Sequence, residues 1–253
     1  MIRSLVFALP LGFFFASSAL ALSDKELESI GHRVWQNECA GTRDGLTSWN
    51  SGEGFPSLGI GHFIWYPKGV TAPFEESFPA LVQFLATKGV KVPAWLRGEC
   101  PWTSRAVFIA ELRGARLTEL RDLLAATVRL QSRFLALRME AALPKLIAAA
   151  SAAKRDAVRR NFERLAASGK GTFALIDYVN FKGEGTNPKE RYKGEGWGLL
   201  QVIEGMESGE DVSPIRAFSE SAARVLTRRV KNAEHDESRW LKGWMNRVRS
   251  YAE

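Results

Sequence analysis

The sequence predicts a mainly α fold, of the α+β class, with one small β element near its N-terminus. Two patterns predict it: apolar residues recur at helical spacing over much of the chain after residue 103, and short apolar pieces between glycines occupy residues 39–66. The 253 residues are 45% hydrophobic and 25% charged, which is typical of a folded chain with a sizeable core. This composition excludes a disordered or low-complexity protein, and the presence of only two cysteines excludes a disulfide-rich miniprotein.

The first 21 residues have the pattern of a secretory signal peptide. Arg3 precedes an apolar segment that ends in small residues, with an A-x-A cleavage pattern at residues 19–21. We therefore expect an exported protein, periplasmic or secreted, whose mature chain begins near Leu22. An uncleaved N-terminal anchor is the alternative. No second apolar run approaches the length of a bilayer span, so no stable membrane span is expected after cleavage.

The mature chain, residues 22–253, is predicted to form a single domain with two parts. Residues 22–101 would carry the first helix, a β-hairpin and a connector, and residues 102–253 would form a helical lobe. The formal net charge is +7 for the whole chain and falls by one when the leader is removed. In an exported protein this charge favours an anionic cell-wall polymer as partner over nucleic acid.

In the first part, an amphipathic helix is predicted over residues 24–38, because Leu27 and Val34 recur at helical spacing after the N-cap residue Ser23. Residues 39–66 are predicted to form turns and a β-hairpin, since glycines separate short apolar pieces there. Residues 67–101 read as a connector of loop and helix.

In the second part, residues 103–167 predict at least three helices, one of them begun or kinked at Pro144. A second glycine-rich segment covers residues 168–198, and further helices are predicted from Leu199, Ile215 and Ser238. The sequence also predicts which of two groups of side chains are exposed and which are buried. Arginines are expected on a solvated face at positions Arg113, Arg116, Arg121, Arg129, Arg133 and Arg138, and two tryptophans are expected inside at Trp240 and Trp244.

The cysteines and histidines do not predict a metal site or a cofactor. Cys39 and Cys100 lie in a compartment that permits disulfides, so they either form a bridge or remain free thiols. Their spacing does not match a zinc site, and the histidines are scattered.

The candidate chemistry lies at the end of the first helix. Glu38 closes this helix and is followed by a glycine-rich hairpin that carries further carboxylates, so the two together can form a two-carboxyl cleft. Cleavage of a glycosidic bond uses such a pair, one group to protonate the leaving oxygen and one to assist the cation-like centre or a water. The alternative is a solvated or capping carboxylate. Sugar-binding groups are expected at Trp49, Asn50, Trp65 and Tyr66.

The segment Glu53-Gly54-Phe55-Pro56-Ser57-Leu58-Gly59-Ile60-Gly61-His62 resembles the hairpin signature of phage-type lysozymes, the muramidases. That signature reads roughly E-G-x-x-[TS]-x-G-I-G-H after a Glu that closes the first helix. Residues 173–181 are similar to a helix of the same superfamily, and residues 197–201 to a segment of lytic transglycosylases. The resemblance implies a lysozyme-like helical domain with a small hairpin beside an active-site cleft.

The resemblance also implies roles for single residues. Glu38 matches the family's proton donor, Ser57 replaces a Thr that helps to hold the catalytic water, and His62 matches a structural histidine. The family's second acid would align near Ser51, which is not acidic, so that role stays open, and Glu38 could also act without a conventional partner, as in lytic transglycosylases. The candidates for the second carboxylate are Glu53, Asp44, Glu184 and Glu195.

The second glycine-rich segment would form the opposite wall of the cleft. Glycines flank both Glu184 and Glu195, which lets a ligand or another backbone approach closely. The predicted substrate-binding residues of this wall are Asn180, Lys182, Glu184, Tyr192, Glu195, Trp197 and Gln201. The alternative is a structural connector with Trp197 in the core.

Taken together, these observations lead us to expect an exported glycosidase that cleaves peptidoglycan glycan strands, either a muramidase or a lytic transglycosylase, with Glu38 as general acid. Two alternatives remain. One is a non-catalytic glycan-binding or envelope protein on the same scaffold, and the other is a hydrolase of another amino-sugar polymer such as chitosan.

Overall fold

A computed structural model describes residues 22–70, 74–207, 209 and 211–253. The predicted mainly α, α+β fold is confirmed: the described residues are 60% helical and form two small antiparallel sheets. The predicted signal peptide lies outside the described residues. Within them, no helix combines the length and apolar character needed to cross a bilayer.

The described residues form ten helices and five strands. The helices are α1 (Asp24–Cys39), α2 (Phe78–Thr87), α3 (Arg105–Ala110), α4 (Ala115–Ala126), α5 (Val128–Ala149), α6 (Arg155–Ala166), α7 (Gly169–Lys182), α8 (Leu199–Glu204), α9 (Pro214–Asn232) and α10 (Ser238–Arg249). The strands are β1 (Thr47–Ser48), β2 (Ser57–Leu58), β3 (Phe63–Ile64), β4 (Arg191–Tyr192) and β5 (Glu195–Gly196). Short 3₁₀ turns cover Asp44–Leu46 and Ala94–Arg97.

Helix α1 begins with a capping box. The Ser23 hydroxyl accepts from the backbone N–H of Glu26, whose carboxylate accepts from the Ser23 N–H, so both groups at the helix start are satisfied. Its apolar stripe, which includes Leu27, Ile30 and Val34, is buried, and the helix packs along α5. The helix ends where Ala40 takes a left-handed conformation at φ 52°, which leaves Glu38 in the last turn.

The first sheet has the antiparallel order β1-β2-β3, with Ser57 opposite both Ser48 and Ile64. The turn between β2 and β3 is anchored to α5 by one buried side chain. The amide of Gln131 accepts from the Ile60 N–H at 3.0 Å and donates to the Leu124 carbonyl oxygen at 2.6 Å. This contact fixes the position of the hairpin against the helical part.

Replacing Gln131 by Leu should therefore destabilise the protein by about 1–3 kcal/mol, because the buried Ile60 N–H loses its acceptor. Chemical denaturation would measure the change in the free energy of unfolding. The exposed Gln83 of α2 offers a matched control, and Gln83→Leu should change that free energy little. Equal stabilities of the two variants would contradict the anchoring role of Gln131.

The structure refines or corrects several local predictions. The glycine-rich segment 168–198 begins with helix α7, as the resemblance implies for residues 173–181, because Ser168 caps it and its apolar residues from Phe173 to Ile176 are buried. Pro144 lies inside α5 and does not begin a helix. Arg121 is buried, where its guanidinium donates to the Thr47 hydroxyl and the Leu112 carbonyl, whereas Trp240 is 52% exposed.

The two cysteines do not form a bridge. Cys39, at the end of α1, and Cys100 are both free and buried. Burial raises the pKa of the Cys39 thiol to about 12 and that of the Cys100 thiol to about 11. They behave as small apolar side chains of the core.

Candidate active site

Glu38 lies on a cleft of about 750 Å³ between the first sheet, α5 and the end of α7. The hairpin side contributes Glu53, Ser57 and His62, and the opposite side is formed by the end of α7 and the loop that follows it. The structure therefore brings the end of the first helix, the hairpin and part of the second glycine-rich segment to one cavity.

The Glu38 carboxylate is 13% exposed and has partners on both oxygens. Oε1 accepts from Arg247 Nη2 at 2.5 Å and from Asn180 Nδ2 at 3.2 Å. Oε2 lies 3.5 Å from His62 Nδ1. Because a carboxylate in the last turn of a helix faces the negative end of the helix dipole, these partners offset an unfavourable position. His62 thus reaches the cleft, beyond the structural role that the resemblance implies.

Behind Glu38 lies a buried ion pair. Asp177 of α7 is fully buried and accepts two hydrogen bonds from Arg247, each 2.8 Å long, and one from the Tyr251 hydroxyl at 2.6 Å. The Arg247 guanidinium also lies over the Phe181 ring, 4.1 Å from its centroid. Although burial alone lowers the pKa of Arg247, the charges of Asp177 and Glu38 raise it above its usual value. Arg247 is therefore a permanent cation that joins α10 to α7 and α1.

Glu53 is held at the cleft by its backbone. Its carbonyl oxygen accepts from Trp49 Nε1 at 2.7 Å, and its N–H donates to the Asn50 carbonyl at 3.3 Å. The side-chain Oε2 is buried and has no hydrogen-bond partner among the described residues. A buried polar atom without a partner costs free energy, so a donor from a bound ligand would be favourable at this position.

Five of the predicted substrate-binding residues line the cleft. They are Asn50, Asn180, Lys182, Glu184 and Trp197. Glu184 forms an ion pair with Lys145 at 2.8 Å. Trp197 is half-buried and lies against Tyr192, with ring centroids 4.6 Å apart.

The remaining predicted residues are elsewhere. Trp49, Trp65 and Tyr66 are only 5%, 2% and 9% exposed, so they cannot offer a face to a sugar and that prediction is wrong for this structure. Trp65 packs among Phe78, Trp95 and Trp102. These rings fill the core beneath the hairpin, which is why the aromatic residues turn inward there.

Four polar candidates also lie outside the cleft lining. Tyr192 donates to the Glu237 carboxylate at 3.1 Å. Asp44 is exposed and lies 3.6 Å from Arg121, and Glu195 is exposed and pairs with Arg228 at 3.2 Å. Gln201 accepts from the Gly198 N–H and donates to the Gly185 carbonyl, so it fixes the backbone of the glycine-rich loop. As candidates for the second carboxylate, Glu53 and Glu184 remain on the cleft.

Lys182 lies in an aromatic and cationic environment. Its Nζ is 3.5 Å from the Trp244 ring centroid and 4.0 Å from that of Phe181. Burial, together with the charges of Arg229 and Arg247, lowers the pKa of Lys182 to about 7, while Glu237 and Glu38 act in the opposite direction.

The sequence interpretation missed Asp177, Tyr251, Arg229 and Arg247 as parts of the site. One signal was available, because a charged Asp177 in the apolar stretch 173–179 requires a buried partner. The spacing of the residues does not show which cation is the partner of Asp177.

The chain matches no protein-family model, no curated protein and no solved structure. Among the described residues, no group of three or more histidine, cysteine or acidic side chains could hold a metal ion.

Proposed function

We propose that this protein is an exported glycosidase that cleaves the glycan strands of peptidoglycan, with Glu38 as general acid. The observation that carries the proposal is the position of the Glu38 carboxylate, which is 13% exposed on a cleft that Glu53, Asn180 and Trp197 also line. A sheltered carboxylic acid beside polar and aromatic groups is what protonation of a glycosidic oxygen requires. The export pattern of the first 21 residues supports a cell-wall substrate.

In the proposed reaction Glu38 donates a proton to the leaving oxygen. Arg247 and Asn180 then stabilise the carboxylate that remains, since both donate to Oε1. Arg247 is already balanced by Asp177, so it keeps a partner in both protonation states of Glu38. The proton transfer therefore leaves no buried cation unpaired.

Glu53 is the proposed second carboxylate. Its unpartnered Oε2 can accept from a water or stabilise the positive charge that develops on the sugar ring. If water attacks, the enzyme is a muramidase that leaves a reducing end. If a hydroxyl of the same sugar attacks, it is a lytic transglycosylase that leaves an anhydro-sugar end.

The test is incubation of the purified mature protein with isolated sacculi, followed by chromatography of the soluble products. Release of glycan fragments with one uniform type of new end supports the proposal. Absence of fragments between about pH 5 and pH 8, where carboxylate pairs commonly act, would overturn it.

Replacing Glu53 by Gln should lower the rate of fragment release by about 10²-fold, because a charge-stabilising group near the reacting centre is lost. The matched control is Glu75→Gln, which removes an exposed carboxylate from the same cleft and should have little effect. An unchanged rate for Glu53→Gln would mean that Glu184 is the second carboxylate or that the reaction uses none.

A second candidate function is non-catalytic glycan binding on the same surface. It is favoured by the non-acidic Ser51 and by the close pairing of Glu38 with Arg247. Binding to sacculi without release of fragments would support it. A chitosan hydrolase is a weaker alternative, because both that polymer and this chain carry net positive charge.

A further inference from the structure

The end of α7 places the amino group of Lys182 on the cleft without a direct polar partner among the described residues. Lys182 lines the cleft, and its ammonium group forms no ion pair or hydrogen bond with any residue that the structure describes. Its close neighbours are the rings of Phe181 and Trp244, which hold it by cation–π contacts.

The neighbouring carboxylates have other direct partners. Arg229 of α9 donates two hydrogen bonds to Glu237, at 2.7 and 2.8 Å, and lies over the Trp197 ring. Arg247 of α10 donates hydrogen bonds to Asp177 and to Glu38 of α1. The carboxylates that face Lys182, Glu237 and Glu38, are thus each hydrogen-bonded to a guanidinium group, and neither forms an ion pair with the Lys182 ammonium.

Glu184, two residues further along the chain, is also engaged, since it pairs with Lys145. A ligand group that meets Lys182 in the cleft would therefore find one free ammonium, with the Arg229 guanidinium behind it on the same cleft lining. An anion is the complementary group.

We propose that Lys182, supported by Arg229, forms a subsite that binds a carboxylate carried by the sugar chain. This inference rests on the proposed function for the identity of the polymer. In peptidoglycan such a carboxylate has two sources, the free lactyl group of a muramic acid without peptide and the carboxyl groups of a peptide stem.

The subsite predicts a pH dependence of binding with a definite sign. A carboxylate binds the protonated Lys182, whose pKa in the free protein lies at about 7. Affinity is therefore greatest below that pH and falls as the pH rises through it, by roughly tenfold between about pH 6 and pH 8.5. Arginine stays protonated over this range, so Lys182→Arg should keep the binding and lose its pH dependence.

The experiment measures dissociation constants by calorimetry in the Glu38→Gln background, which prevents cleavage during the titration. Because the Glu38 charge raises the pKa of Lys182, its removal moves the fall in affinity to lower pH without changing its sign. The probes are a tetrasaccharide of alternating N-acetylglucosamine and N-acetylmuramic acid with free lactyl carboxylates, its methyl ester, and the same tetrasaccharide with peptide stems. At about pH 6 we expect a carboxylate form to bind roughly tenfold more tightly than the ester, and Lys182→Met to remove this preference. The exposed Lys189 provides the matched control Lys189→Met.

A pH-dependent preference for the acid tetrasaccharide assigns the lactyl carboxylate, and one seen only with peptide stems assigns a carboxyl group of the stem. Equal binding of every form and the ester overturns the subsite, as does a pH profile that Lys182→Arg leaves unchanged. The two proposals fail separately: a protein that releases fragments from sacculi without carboxylate preference loses only the subsite, and one that binds as expected but cuts nothing loses only the glycosidase.

Discussion

Replacing Glu38 by Gln is expected to lower the rate of fragment release from sacculi by about 10²–10⁴-fold. Glutamine keeps the shape of the side chain and can still accept from Arg247 and Asn180, but it cannot donate a proton to the leaving oxygen as an acid does. The measurement is the initial rate of turbidity loss, together with quantification of soluble fragments.

Helix α1 supplies the control for this change. Glu28 lies exposed on the same helix, so Glu28→Gln removes the same charge from the same element and should leave the rate unchanged. Far-ultraviolet circular dichroism would show that both variants fold. A fully active Glu38→Gln variant would exclude Glu38 as the general acid.

Replacing Arg247 by Met should lower the free energy of unfolding by about 3–5 kcal/mol. The reason is Asp177, which is fully buried and would lose the guanidinium that now donates to both its oxygens. Chemical denaturation measures the loss. Cleavage should fall as well, because Glu38 loses the partner that orients Oε1.

Two further variants separate the ion pair from helix packing. Arg249→Met changes an exposed arginine of the same helix and should cost little. The double variant Arg247→Met with Asp177→Asn should be more stable than Arg247→Met alone, because the unpaired charge is removed. If the second change gave no recovery, the unpaired Asp177 would not be the source of the destabilisation.

The fold class followed from local patterns because helix α1 and the hairpin are determined by short-range chemistry. The cap at Ser23, the apolar stripe of α1 and the glycines of residues 52–61 are all visible in the sequence, and they placed Glu38 and Glu53 beside one cleft. The helices after Leu199 began where their spacing predicted.

The environment of side chains was harder to predict, because it depends on contacts between distant segments. Arg247 is 209 residues from Glu38 in the chain, and no periodicity links them. Trp65 and Trp240 show the same limit. Trp65, directly after β3, is buried against Trp95 and Trp102, whereas Trp240 lies on the amphipathic helix α10 and is 52% exposed.

Because the thiols of Cys39 and Cys100 are buried, their reaction with a labelling reagent can report how often the native protein opens. With pKa values of about 12 and 11, both side chains hold almost no thiolate at neutral pH, and the thiolate is the form that attacks an alkylating reagent. Modification then requires a conformation that exposes them. The labelling rate of each cysteine would therefore measure how often its part of the core opens, with Cys39 monitoring the end of α1 on which Glu38 lies.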